Sequence, residues 1–108
     1  MLFRSEELML ALLLNPEDTV ATALSDAASG DTAEIILGRE KTGRSVTALD
    51  AIPFGFKIAV RPMKKGNPVI KYGLPIGVAS RDIAPGSLVH IHNIEGARGR
   101  GDLKEDAR

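Results

Sequence analysis

The chain has 108 residues, 14 Lys plus Arg against 14 Asp plus Glu, a net charge of zero and no cysteine. This length fits one domain with a modest core but not a deep self-contained cleft, so chemistry on this chain calls for a second surface. Balanced charge argues against a nucleic-acid partner, and the lack of cysteine excludes disulfides, thiolate metal sites and a cysteine nucleophile.

The first apolar run, Leu8 to Leu14, is seven residues long and follows Glu6 and Glu7. A bilayer span needs roughly 20 apolar residues and a signal peptide carries positive charge ahead of its apolar run, so the segment reads as a buried strand with a helical lead-in. A soluble cytoplasmic chain away from membranes is expected. Residues 1 to 10 form a lead-in, residues 11 to 95 the domain, and residues 96 to 108 a charged tail or linker. With three Phe, one Tyr and no Trp, the core must come from Val, Ile, Leu and Ala.

Glycine and proline interrupt the sequence too often for a long helical period, which predicts a mainly β fold. Strands are expected at Ala11 to Leu14, Thr19 to Leu24, Ala33 to Leu37, Ser45 to Ala48, Lys57 to Val60, Val69 to Tyr72, Ile76 to Ala79 and Val89 to His92. Residues 94 to 108 lack apolar periodicity and are expected to be loosely held. One spacing recurs four times, an apolar residue, a glycine three on and an apolar residue three further: Ala27/Gly30/Ala33, Ile52/Gly55/Ile58, Met63/Gly66/Val69 and Ile83/Gly86/Val89. A single turn device reused around a much-folded β structure accounts for it, with glycine supplying a positive φ.

Candidate chemistry concentrates near the end of this pattern. His90 and His92 are the chain's two histidines; on a strand they would share a face about 6–7 Å apart, either as partly exposed strand residues or as ligands. Two imidazoles do not complete a metal centre, and no third ligand is obvious. Asn93 either addresses a hydroxylated substrate or closes its own turn. Lys71 either binds a carboxylate, with general-base work open to it if desolvated, or extends along the surface into water. Tyr72 reads as a core aromatic with its hydroxyl at the rim. The glycines of "GLPIG" lack the context of a phosphate loop, and "RGRGD" reads as a solvated linker.

The stretches "IPFGFKIAV", "GNPVIKYGLPIGVA", "DIAPG" and "VHIHN", with "NPEDTVATALSDAASGD" before them, resemble the amino-terminal domain of the altronate/galactarate dehydratase family. This is a SAF-type domain with a β-clip fold, and the resemblance covers roughly residues 11 to 102. It implies a small α-type subunit or amino-terminal domain of a hydro-lyase, or of a related sulfo-lyase, inactive until joined by a larger catalytic partner. It also implies a sugar-acid substrate and elimination of water assisted by a divalent metal, typically iron(II). On this reading His90 and His92 hold metal or substrate, Lys71 meets the carboxylate, and Tyr72 and Asn93 contact substrate. Non-catalytic SAF-type binding modules form the alternative class, and pairing of exposed strand edges into a homo-oligomer stays open. The family pattern H-x-x-D-N-V reads here Asn15-Pro16-Glu17-Asp18-Thr19-Val20, with Asn15 in place of the histidine and Thr19 in place of the asparagine.

Overall fold

The computed structural model describes residues 9–96. Nine strands follow one another: β1 (Met9–Leu13), β2 (Val20–Ala23), β3 (Thr32–Leu37), β4 (Glu40–Thr47), β5 (Lys57–Ala59), β6 (Pro68–Lys71), β7 (Leu74–Ala79), β8 (Leu88–Val89) and β9 (Ile94–Glu95). Among the described residues the fold is all β, in agreement with the sequence. Met9 and Leu10, expected to belong to the lead-in, open β1; residues 1–8 of the lead-in and residues 97–108 of the charged tail lie outside the described residues. No helix among these residues is long and apolar enough to cross a membrane.

Six strands form one sheet in the order β4-β3-β1-β2-β5-β8, and three form a second in the order β6-β7-β9. The pairing of β1 with β3 is parallel and the other strand pairings are antiparallel. Alternation along the central strands feeds two cores. Ala21, Ala23 and Ile58 enter a cluster with Met9, Leu13, Ile35 and Ile52, whereas Val20 and Ala59 enter another with Val69, Ala79, Ile83 and Val89. Successive side chains of a strand point to opposite faces, so β2 and β5 are covered on both sides by this arrangement. Alanine recurs in both clusters.

The repeated spacing is a repeated structure. Gly30, Gly55, Gly66 and Gly86 have φ between 88 and 96°. In each case the residue after the glycine donates its N–H three residues back, to Ala28, Pro53, Lys64 and Ala84 in turn. Positive φ at the third position and this bond are the signature of a type II turn. Each glycine N–H donates to a buried alanine carbonyl, of Ala48, Ala23, Ala79 and Ala59 respectively, and each alanine N–H returns a bond to the residue after the glycine. The apolar residues that open the turns face one another as isolated bridges, Ala27 with Ile52 and Met63 with Ile83. Asp26 and Asp82 reinforce the two pairs by accepting from Phe54 N and Lys65 N, at 2.8 and 2.9 Å.

Three expectations are corrected. The last expected strand, Val89 to His92, stops at Val89, because residues 90–93 turn back. Ile94–Glu95, expected to be loosely held, is β9 and pairs with Val78 and Ala79 of β7. The fourth strand begins at Glu40 rather than Ser45 and carries a register shift opposite Ile35 and Ile36.

Candidate functional site

Strands β6 and β7 are joined by two residues, Tyr72 and Gly73, with Lys71 paired to Leu74. Both have positive φ, 55 and 80°, the requirement of a type I′ hairpin, for which Asn-Gly is the usual sequence. A bulky side chain in the left-handed region costs roughly 1–2 kcal/mol. Tyr72 is the one non-glycine residue with positive φ among the described residues. The turn delivers its half-buried side chain to the six-stranded sheet, where the hydroxyl lies 2.9 Å from Thr22 Oγ1 on β2. The Lys71 ammonium sits over the Tyr72 ring, 4.9 Å from its centroid, a geometry that the negative ring face favours.

Asp18 fastens this hairpin to the loop after β1. Its carboxylate is fully buried and accepts from Leu14 N and Asn15 N at 3.2 Å each and from Gly73 N at 2.7 Å. Such charge-assisted bonds are stronger than neutral ones. Arg61 closes the loop from outside by donating to the carbonyls of Asp18 and Pro16. The two departures from the family pattern fall at this junction. Asn15 caps Glu17 N at 2.9 Å and lies against Gly73, close enough that a Cβ there would stand 3.0 Å from its amide nitrogen. Thr19 N donates to Ile70 O at 2.9 Å, and the Thr19 hydroxyl accepts from Ile70 N at the same distance.

A second lysine, which no spacing in the sequence singles out, belongs to the same place. Lys57 on β5 lies directly across from Thr22 on β2 and from Val89 on β8, so the three side chains share a face. Burial, and then the positive charge of Lys71, hold its pKa below the ordinary 10.5. The site therefore gathers Lys57, Lys71, Tyr72 and Thr22 where the small sheet meets the large one.

The histidines are arranged differently. His90 N donates to Asn93 Oδ1 and Asn93 Nδ2 donates to Leu88 O, both at 2.9 Å, while the backbone N–H groups of Asn93 and Ile94 donate to His90 O. Residues 90–93 thus form a turn rather than an extended segment, and a two-residue spacing no longer fixes both imidazoles on one face. Asn93 is 4% exposed and commits its carboxamide to its own loop, the turn-closing alternative of the sequence reading. The His90 ring is half-buried against Phe56, with centroids 5.0 Å apart and planes tilted by 52°. His92 is exposed. Phe56 packs on the first core, so His90 stands away from the face that carries Lys57 and Val89. No group of three or more His, Asp or Glu among the described residues is placed to hold a metal ion. The donor set of the described residues does not fit a self-contained metal centre.

Comparison with known proteins is consistent with the geometry. Residues 9–97 match the family model described as the altronate/galactarate dehydratase SAF domain. Altronate dehydratase of Escherichia coli (strain K12) is 43% identical over 76 residues, which are 70% of this chain and 14% of that protein. Altronate dehydratase of Bacillus subtilis (strain 168) is 36% identical over 80 residues, 74% of this chain and 15% of that protein. The (2R)-sulfolactate sulfo-lyase subunit alpha of Paracoccus pantotrophus is 42% identical over 53 residues, 49% of this chain and 79% of that subunit. The chain thus spans about a seventh of the dehydratases it matches. A two-sheet β structure with four equivalent glycine turns, matched over all nine described strands by a single family model, settles its affiliation: the chain belongs to the altronate/galactarate dehydratase SAF domain family.

Proposed function

We propose that this chain is the substrate-holding small component of a lyase acting on a polyhydroxylated acid, completed by a larger partner that supplies the proton-abstracting base. The observation that carries the reading is the placement of Lys71 and Tyr72 on a strained hairpin within a domain whose relatives are lyases or lyase subunits. In the reaction, a base removes the proton on the carbon bearing the carboxylate, and the hydroxyl on the next carbon departs with a proton as water. The resulting enol tautomerises to a 2-keto acid. Lys71 steadies the carboxylate, whose charge grows as the proton leaves, and its ammonium offers three donors to that oxygen pair. Tyr72 and Thr22 offer hydroxyls to the substrate's own. Asn93 acts by shaping the turn that presents His90 and His92 to the partner. A divalent ion in the complete enzyme would polarise the departing hydroxyl; His90 and His92 are this chain's candidate donors to it, and the partner would have to supply the other ligands.

A second reading, the small subunit of a sulfo-lyase, is favoured by one observation: the matched region makes up 79% of the sulfo-lyase subunit of Paracoccus pantotrophus, a protein built on the scale of this domain. One experiment separates the two. The chain is co-expressed with its larger partner and assayed for 2-keto acid formation from a panel of aldonic and aldaric acids, and for sulfite release from sulfolactate. Keto-acid formation supports dehydration and sulfite release supports the second reading. Unchanged turnover by a Lys71→Met complex would remove Lys71 from substrate binding.

A further inference from the structure

The face around Tyr72 carries two local costs. One is the left-handed backbone of Tyr72, at a hairpin position where asparagine or glycine is the usual choice. The other is a pair of neighbouring ammonium groups: Lys57, half-buried on β5, feels the charge of Lys71 at the end of β6. Like charges near one another at low dielectric repel more strongly than in water. Neither lysine has a carboxylate within ion-pairing distance among the described residues. Each is nevertheless held in place. Lys57 is fixed by strand register opposite Thr22, the Thr22 and Tyr72 hydroxyls are 2.9 Å apart, and Lys71 rests over the Tyr72 ring. Two cations and two hydroxyls from separate sheets therefore face one region, an arrangement complementary to an oxyanion with hydroxyl groups beside it.

We infer that Lys57, Lys71 and the Tyr72–Thr22 hydroxyl pair form an oxyanion subsite that takes the acid group of a hydroxylated carboxylate or sulfonate between its two ammonium groups. This rests on and deepens the lyase reading, in which Lys71 alone had been given the acid group. A bound anion removes the repulsion between the lysines, so binding and protonation of Lys57 support each other. The Tyr72 and Thr22 hydroxyls then bond either the acid oxygens or the adjacent carbinol, which adds selectivity for hydroxy acids over simple anions.

The test uses the full chain, with no turnover required. Lysine is labelled at 13Cε, and the Lys57 and Lys71 signals are followed across pH in sodium gluconate, sodium isethionate and sodium chloride at matched ionic strength. Lys57 is expected to titrate below 10.5 in chloride and to move upward, saturably, in gluconate if the subsite takes carboxylates or in isethionate if it takes sulfonates. Lys71→Met should raise the Lys57 midpoint in chloride and abolish the response to the probe. Tyr72→Phe, which keeps both charges, should weaken probe binding roughly fivefold, the effect of one lost hydrogen bond. Lys57→Arg should retain binding, which guards against reading a folding defect as a loss of the site. Equal movement of Lys57 in all three salts would show general screening and overturn the subsite. An inactive two-component enzyme with an intact probe response would overturn the lyase reading alone.

Discussion

The four glycine turns are equivalent in backbone but differ in their surroundings, and that difference fixes a sharp order of stability. Replacing Gly30, Gly55 or Gly66 by alanine places a Cβ in open space, so the cost is confined to a positive φ of 88 to 96° and amounts to about 1–2 kcal/mol. Gly86 has the same φ, but a Cβ there would collide with the Thr47 carbonyl oxygen and press on the Leu49 side chain at 3.2 Å. That carbonyl belongs to the last residue of β4, and Gly86 O accepts from Leu49 N at 2.8 Å, so the two segments are tied together and cannot separate cheaply. Overpacking against backbone adds roughly 1–3 kcal/mol, which brings Gly86→Ala to about 2–5 kcal/mol, a large part of the roughly 5–15 kcal/mol that holds a domain folded. Urea unfolding of the four alanine variants measures this directly. With a slope of about 1–2 kcal/mol per molar for a domain of this size, Gly55→Ala should lower the midpoint by about 1 M and Gly86→Ala by at least twice as much. Equal midpoints across the four variants would refute the idea that the approach of β4 to the last turn, rather than φ, distinguishes Gly86.

Asp18→Ala leaves three backbone donors without their carboxylate and is expected to cost roughly 3–5 kcal/mol in urea unfolding; a cost below about 1 kcal/mol would mean that water replaces the clasp. Asn93→Ala removes both side-chain bonds of the 90–93 turn, a loss of about 1–3 kcal/mol, and hydrogen exchange at the His90 amide should accelerate well beyond that of β7. Lys57 carries a lowered pKa, so between that value and 10.5 the unfolded chain binds more protons than the folded one, and stability rises with pH through this window. The urea midpoint of the parent should therefore climb relative to that of Lys57→Met as the pH is raised toward 10.5; parallel profiles would show that Lys57 is not buried beside Lys71.

The strands that feed the two cores were legible because alternation of small and branched apolar residues survives in short segments such as Lys57 to Val60, and the turn device was legible because its spacing repeats. β4 was half-hidden: most of its residues are exposed, and an outer strand shows no buried alternation to read. β9 was missed because two residues acquire meaning only when paired with β7, a contact no local pattern announces. At the site, Lys71 and Tyr72 stood out by position and resemblance, whereas Lys57 counts only through its closeness to Lys71 and its register with Thr22, which are long-range facts. The reading of His90 and His92 as strand neighbours failed for a local reason. Asn93 offers the chain a side-chain partner three residues back, and that bond outcompetes extension.

The Asp18 clasp grips its neighbours through backbone amides, which every residue but proline supplies. The clasp does not depend on the side chain at position 15, since Asp18 accepts from the Asn15 and Gly73 backbone amides. A scaffold anchored in this way separates the part that must persist from the part free to diversify. Substitutions at the rim can then accumulate without renegotiating the fold beneath.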